Sequence, residues 1–152
     1  MNISNLNFSG EGIVFVDKDG HELPVTSAFK KILNRIANYF LDIELYLLWI
    51  VGYIPSHFVR GIFYRLTGVK LGRRSTIHMG ASFFLHQNIT IGEDTIVGDH
   101  VFLDGRAKIT IGEHTDIAAQ VMGYNSEHDL SDPAFKAIEE PVTIGDYCFI
   151  GP

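Results

Sequence analysis

Large apolar residues recur at every sixth position through the second half of the chain. Leu71, Ile77 and Phe83 are six apart, as are Ile91, Val97 and Leu103, then Ile111 and Ile117, and later Ile144 and Ile150. Four residues after these stand Ser75, Ala81, Gln87, Thr95, Val101, Ala107, Thr115, Val121 and Cys148, and eight of these nine are small or β-branched. A coarser repeat contains the finer one. The motif apolar–Thr/Lys–apolar–Gly occurs as VKLG at Val69–Gly72, ITIG at Ile89–Gly92, ITIG at Ile109–Gly112 and VTIG at Val142–Gly145, with 20 residues between the first copies. Three sixes and two further residues make one 20-residue turn. That count predicts a triangular parallel β-helix, in which each flat face takes one hexad and the large side chain fills the interior. Gly follows where the backbone turns sharply, and successive coils stack about 4.8 Å apart. Ordinary hairpins would show period-two alternation and turn signals of variable spacing.

The stretch YNSEHDLSDPAF, Tyr124 to Phe135, breaks this count. From Ile111 to Ile144 is 33 residues instead of 20, so about 13 extra residues interrupt the third coil after Met122. Counting back one coil sets Gly123 above Leu103 and Tyr124 above Asp104. Asp104 stands where Gly or Ala follows the apolar residue at seven other hexads. A carboxylate and a His-bearing loop therefore share one face, about one strand spacing apart at the loop's root. That juxtaposition is the sequence's main pointer to a site. His128 is the candidate general base, since an ordinary imidazole titrates near about 6.5 and accepts a proton at neutral pH.

The repeats IGEDTI-VGDHVF-LDGRAK and IGEHTD-IAAQVM resemble those of the hexapeptide-repeat acyltransferases. That resemblance covers roughly residues 69–152. It implies a left-handed parallel β-helix, an exception to the usual right-handed crossover, with acetyl-CoA as acyl donor and homotrimers with sites between subunits. EHDLSDPAF looks like the loop of sugar and exopolysaccharide O-acetyltransferases, whose loop histidine matches His128. The resemblance thus implies acetyl transfer to a sugar hydroxyl, free or lipid-linked. Serine acetyltransferases carry Asp-His where this chain has Asp104-Gly105, which argues against serine. Asp104 is then a hydroxyl-binding or His-orienting group. Arg106 either meets an anionic sugar or is merely solvated, and Asn125 either binds the acceptor or shapes a turn. The family's cofactor wall begins at about Phe149 to Pro152, which makes Gly151 and Pro152 candidate acetyl-CoA contacts. The rival readings are a catalytically silent assembly module and an acetyltransferase for a small acceptor such as serine or an antibiotic.

Metal is not expected. His86, His100, His114 and His128 are 14 apart, but on a 20-residue coil His86, His100 and His114 fall at offsets 15, 9 and 3, on three different faces. The single Cys148 excludes an internal disulfide and a Cys-rich zinc site, and fits a reducing, cytoplasmic compartment.

The N-terminal part, residues 1–68, reads as an extension with helices at about 26–52 and 56–66. The β-helix follows at 69–152, with its inserted loop at about 124–138. The net charge of −6 is unevenly divided. Residues 24–74 carry eight Lys/Arg against two acids, and residues 75–152 carry three against twelve. An acidic main body argues against nucleic acid. Lys30, Lys31, Arg35, Arg60 and Arg65 beside an apolar helix suggest that residues 24–66 touch an anionic membrane surface, cap the open end of the β-helix, or pack on a neighbouring subunit. Leu45–Ile54 is too short to span a bilayer. At the other end, VTIGDYCFIGP stops one hexad and two residues into a fourth coil without a closing element, so a C-terminally truncated chain is expected.

Overall fold

The six-residue spacing closes into a coil because each hexad ends in a sharp corner and the next repeats its register one strand away. The computed structural model describes residues 6–9, 12–16 and 21–152. Three parallel sheets form the faces of the β-helix. The first stacks β3 (Lys70–Leu71), β6 (Ile89–Ile91), β9 (Ile109–Ile111) and β14 (Val142–Ile144), with Leu71, Ile91, Ile111 and Ile144 in one column. The second stacks β4 (Thr76–Ile77), β7 (Ile96–Val97), β10 (Asp116–Ile117) and β15 (Phe149–Ile150), aligning Ile77, Val97, Ile117 and Ile150. The third stacks β5 (Ser82–Phe84), β8 (Phe102–Asp104) and β11 (Met122–Gly123), aligning Phe83, Leu103 and Gly123. Eight of the ten hexad residues are buried, and Ile144 and Ile150 pack partly buried against the same core.

The small positions form a ladder that the apolar count alone did not reveal. Ser75, Thr95, Thr115 and Cys148 stack at one corner, and each hydroxyl joins its own coil to the next. Ser75 Oγ donates to the Gly92 carbonyl (2.5 Å) and accepts from Thr95 N (3.0 Å). Thr95 Oγ1 donates to Gly112 O (2.8 Å) and accepts from Thr115 N (3.2 Å). Thr115 Oγ1 donates to Gly145 O (2.9 Å) and accepts from Cys148 N (3.2 Å). Thr95 and Thr115 are fully buried, so these bonds satisfy backbone groups that water cannot reach.

The motif glycines act differently from expectation. They do not supply the left-handed backbone of the corners. A Cβ on Gly72 would lie 2.4 Å from the Gly92 backbone, and one on Gly92 would lie 2.5 Å from that of Gly112. These positions are Gly because adjacent coils touch there, backbone on backbone. The left-handed residues come two positions later: Arg74, Asp94, His114 and Tyr147, with φ between 51° and 60°. Their conformation is held by the stacked backbone, with Asp94 N bonding Arg73 O at 3.0 Å and His114 N bonding Glu93 O at 2.9 Å.

Two compact units divide at Glu44–Leu45, inside the first helix. The first unit holds an antiparallel hairpin of β1 (Leu6–Ser9) and β2 (Gly12–Phe15), then the start of α1 (Val25–Gly52). The second unit takes the last turns of α1, α2 (His57–Leu66) and the whole β-helix. The division falls there because Leu48 and Tyr64 share one buried cluster with the β-helix core. α2 starts at Ser56, whose Oγ accepts from Val59 N, and it lies across the first coil. Buried Arg60 donates to Ile54 O and twice to Ile77 O, at 3.0 and 2.7 Å. Arg65 donates to Leu71 O and Gly72 O, and Tyr64 Oη donates to Ala81 O. Arg73 and Arg74 pair with Glu93 and Asp94 one coil on. Four cations of the basic third are thus committed within the chain. No described helix is long and apolar enough to cross a membrane.

Candidate active site

The inserted loop leaves the third face where the register placed it. β11 ends with Gly123 paired to Leu103. The ring of Tyr124 then lies 5.3 Å from that of Phe102. Asn125, nearly buried, fastens the root: its Nδ2 donates to Ala107 O (2.7 Å) and its Oδ1 accepts from Ala107 N (3.3 Å). Its amide thus mimics a missing strand neighbour, and its main-chain oxygen accepts from Glu140 N at the loop's return. Beyond it the loop folds on itself. β12 (Ser126–His128) pairs antiparallel with β13 (Ala137–Glu139), setting His128 opposite Ala137.

Short side-chain bonds shape the tip. Asp129 Oδ1 accepts from Ser131 N (2.9 Å) and Oγ (2.6 Å), and the Ser131 hydroxyl, ahead of its N–H, holds the carboxyl below its usual range. Asp132 Oδ1 accepts from Ala134 N, and Phe135 N donates back to Asp132 O. The turn closes with Phe135 in the left-handed region, φ 52°. That conformation directs both its carbonyl and its ring at His128. The imidazole Nδ1 lies 2.8 Å from Phe135 O, and the two rings stack at 4.4 Å and 6°. A carbonyl only accepts, so Nδ1 carries a proton, and in the neutral imidazole the lone pair then sits on Nε2. His128 is exposed.

Asp104 is buried at the end of β8, and all four of its hydrogen bonds go to Arg106. Oδ1 accepts from the Arg106 N–H and Nε (both 3.1 Å), and Oδ2 accepts from Nε (2.9 Å) and Nη2 (2.5 Å). Those bonds hold the Asp104 carboxyl below its ordinary range despite burial, and they raise the guanidinium. Arg106 stays 40% exposed, its Cζ 6.0 Å from the Phe84 ring. The site therefore has two parts. Asp104, Arg106 and Asn125 meet at the loop's root, while His128 is oriented by Phe135. The suggested bond from Asp104 to His128 is not made, because Arg106 occupies the carboxylate and a carbonyl does the orienting. Phe135 was missed in the sequence, where nothing marks a non-glycine residue for the left-handed region.

Gly151 and Pro152 lie exposed just after β15. The evenly spaced histidines go separate ways: His86 is buried, His100 bonds Asp99 at 2.6 Å, and His114 stacks on Tyr147 at 4.9 Å. Among the described residues, no three His, Cys, Asp or Glu are placed to hold a metal ion. A cleft of about 380 Å³ lies apart from the loop, lined by Pro55, His57, Arg60, His78, Met79 and Asp99. Its cation is Arg60, already bound to backbone carbonyls, so the lining reads as the underside of the α2 cap.

Comparison with known proteins places this geometry. No family model matches the chain. A candidate colanic acid biosynthesis acetyltransferase of Escherichia coli K12, named WcaF, is 30% identical over 91 residues, which is 60% of this chain and 50% of that protein. Its counterpart in Shigella flexneri matches to the same extent. The chain thus spans about half the length of the curated relatives it matches. A crystal structure of a hexapeptide-repeat-containing acetyltransferase from Vibrio cholerae superposes with a TM-score of 0.66 at 23% identity, covering 73% of this chain and 65% of that one. The fold is that of the hexapeptide-repeat proteins, a left-handed parallel β-helix.

Proposed function

We propose that this chain, similar in sequence to colanic acid acetyltransferases and in fold to hexapeptide-repeat acetyltransferases, moves acetyl from acetyl-CoA to a hydroxyl of a sugar, with His128 as general base. The observation that carries the reading is the His128–Phe135 contact. Donation from Nδ1 to a carbonyl fixes the tautomer whose exposed Nε2 accepts a proton. In the proposed step, Nε2 takes the hydroxyl proton as the sugar oxygen bonds to the thioester carbonyl carbon. The tetrahedral adduct collapses with cleavage of the C–S bond, and the imidazolium returns the proton to the leaving thiolate. No covalent enzyme intermediate is needed.

Arg106 is the acceptor-binding group in this reading. Its Nε and Nη2 are clamped by Asp104, and its Nη1 makes no hydrogen bond among the described residues. A guanidinium fixed on one edge and exposed on the other suits a hydroxyl or carboxylate of a sugar unit. Asp104 then positions Arg106, and Asn125 positions the loop. Gly151 and Pro152 are proposed to border the acetyl-CoA path, in a homotrimer whose sites lie between subunits. The cytoplasm, where acetyl-CoA and activated sugars meet, is the proposed location.

The test is direct. Acetyl-CoA is mixed with the protein and a panel of neutral and acidic sugars and nucleotide sugars, and O-acetylated products are read by mass spectrometry. Acetylation of at least one sugar, stronger for an acidic acceptor and reduced by Arg106→Ala, is expected. Transfer to serine or to an amine, with none to any sugar, would overturn the acceptor class.

A further inference from the structure

α1 exposes an apolar stripe that the fold leaves uncovered. In a surface helix such a stripe ordinarily faces the core. Here the side that meets the core is another one, where Leu48 is buried and the Gly52 carbonyl accepts from Gly80 N. The outward stripe has a strict seven-residue period. Phe29, Ile36, Ile43 and Ile50 are seven apart, and each is 45% to 59% exposed. Ile32, Tyr39 and Tyr46 follow each of the first three by three residues and are also exposed. This is the a/d pattern by which one helix packs along another. It runs through most of a helix of 28 residues, roughly 42 Å at 1.5 Å per residue.

Charge selects the occupant. An anionic lipid surface would need the cations of the basic third. Arg60 and Arg65 are bound to carbonyls, and Arg73 and Arg74 to carboxylates. On α1 itself Lys30, Lys31 and Arg35 stand against Asp42 and Glu44, and Asp42 offsets Arg35 along one flank. Both occupy the position just before a stripe residue, Ile36 and Ile43 respectively. In a parallel pair each would face an apolar residue, Arg35 the partner's Phe40 and Asp42 the partner's Leu47. In an antiparallel pair the same flanks face one another, so Arg35 meets the partner's Asp42 twice about a two-fold axis.

We propose that α1 is a self-association helix, which pairs antiparallel with α1 of a second copy about a centre near residues 37–38. Ile36 then packs against the partner's Tyr39, and Ile43 against the partner's Ile32. The contact lies on α1 and is independent of the catalytic reading.

Disulfide trapping in the full chain tests it, with Cys148→Ser as background. Chains carrying Ile36→Cys and Tyr39→Cys, differently tagged, are mixed and oxidised. The mixed disulfide should form faster than either homodisulfide. An Asn34→Cys and Asn38→Cys pair, on the polar side, should stay reduced. Arg35→Glu should lower the trapping rate a few-fold, and adding Asp42→Arg should restore it. Circular dichroism and melting confirm that each variant folds, and these exposed positions leave the core untouched. Preferred Ile36→Cys homodisulfide would overturn the antiparallel register. Equal trapping on the polar side, or none anywhere, would overturn the pairing. So would binding to phosphatidylserine vesicles that shields the Ile36→Cys thiol from a maleimide without any dimer.

Discussion

Thr95→Val should be among the most damaging conservative changes in this protein, although it preserves volume. Thr95 is fully buried. Its hydroxyl donates to Gly112 O at 2.8 Å and accepts from Thr115 N at 3.2 Å. Valine fills the same space and removes both bonds. One carbonyl and one N–H, on adjacent coils, are then left dry and unpaired. Each such group costs about 1–3 kcal/mol, so the loss is about 2–6 kcal/mol. For a domain of this size that lowers Tm by roughly 4–24 °C, at about 2–4 °C per kcal/mol. Two controls separate hydrogen bonding from packing. Thr95→Ser keeps the hydroxyl and drops one methyl, and should cost about 1 kcal/mol. Ser75→Ala removes the same kind of link at a half-buried corner where water substitutes, and should cost less than Thr95→Val. The measurement is urea and thermal unfolding followed by circular dichroism. A Thr95→Val protein as stable as wild type, or a serine variant worse than the valine, would refute the ladder as a stabilising element.

Further expectations follow from contacts of the same kind. Gly92→Ala puts a Cβ 2.5 Å from the Gly112 backbone and should destabilise by about 1–3 kcal/mol or more, whereas Gly145→Ala meets only Cys148 Sγ at 3.8 Å and should melt like wild type. Asp104→Asn leaves Arg106 without its carboxylate and should cost about 1–3 kcal/mol at pH 7. Because the folded Asp104 carboxyl lies below its ordinary range, its contribution is complete above about pH 4 and fades as pH falls through the folded value. Unfolding at several pH values should therefore show the gap closing in acid. Asn125→Ala should release the loop's root, with faster amide exchange over Ser126–His128 and little change in the β-helix core. Exchange unchanged there would mean that the Ala107 clamp does not hold the loop.

The β-helix was legible because its interior columns are stacked hexad positions. Once Leu71, Ile91 and Ile111 are seen 20 apart, the register of three sheets follows, including Gly123 over Leu103. Corners were less legible. A left-handed residue imposed by stacking, such as Asp94 or His114, has no compositional mark, and the glycines nearby respond to contact between coils. The loop could be located by the broken count but not folded. His128 is oriented by a carbonyl, and any residue at position 135 has one. The division inside α1 was hidden because helical spacing runs through Glu44 and Leu45 without interruption, while the partners of Leu48, Arg60 and Tyr64 lie far along the chain.

The central claim is that the Nε2 of His128 removes the acceptor's proton. The kinetics of acetyl transfer by His128→Ala and His128→Gln, set beside acetyl-CoA binding by each, test it most directly. Loss of a general base predicts that turnover falls about 10²–10⁴-fold, with acetyl-CoA affinity and melting temperature unchanged. Turnover within threefold of wild type in either variant would contradict the claim and remove His128 from the reaction.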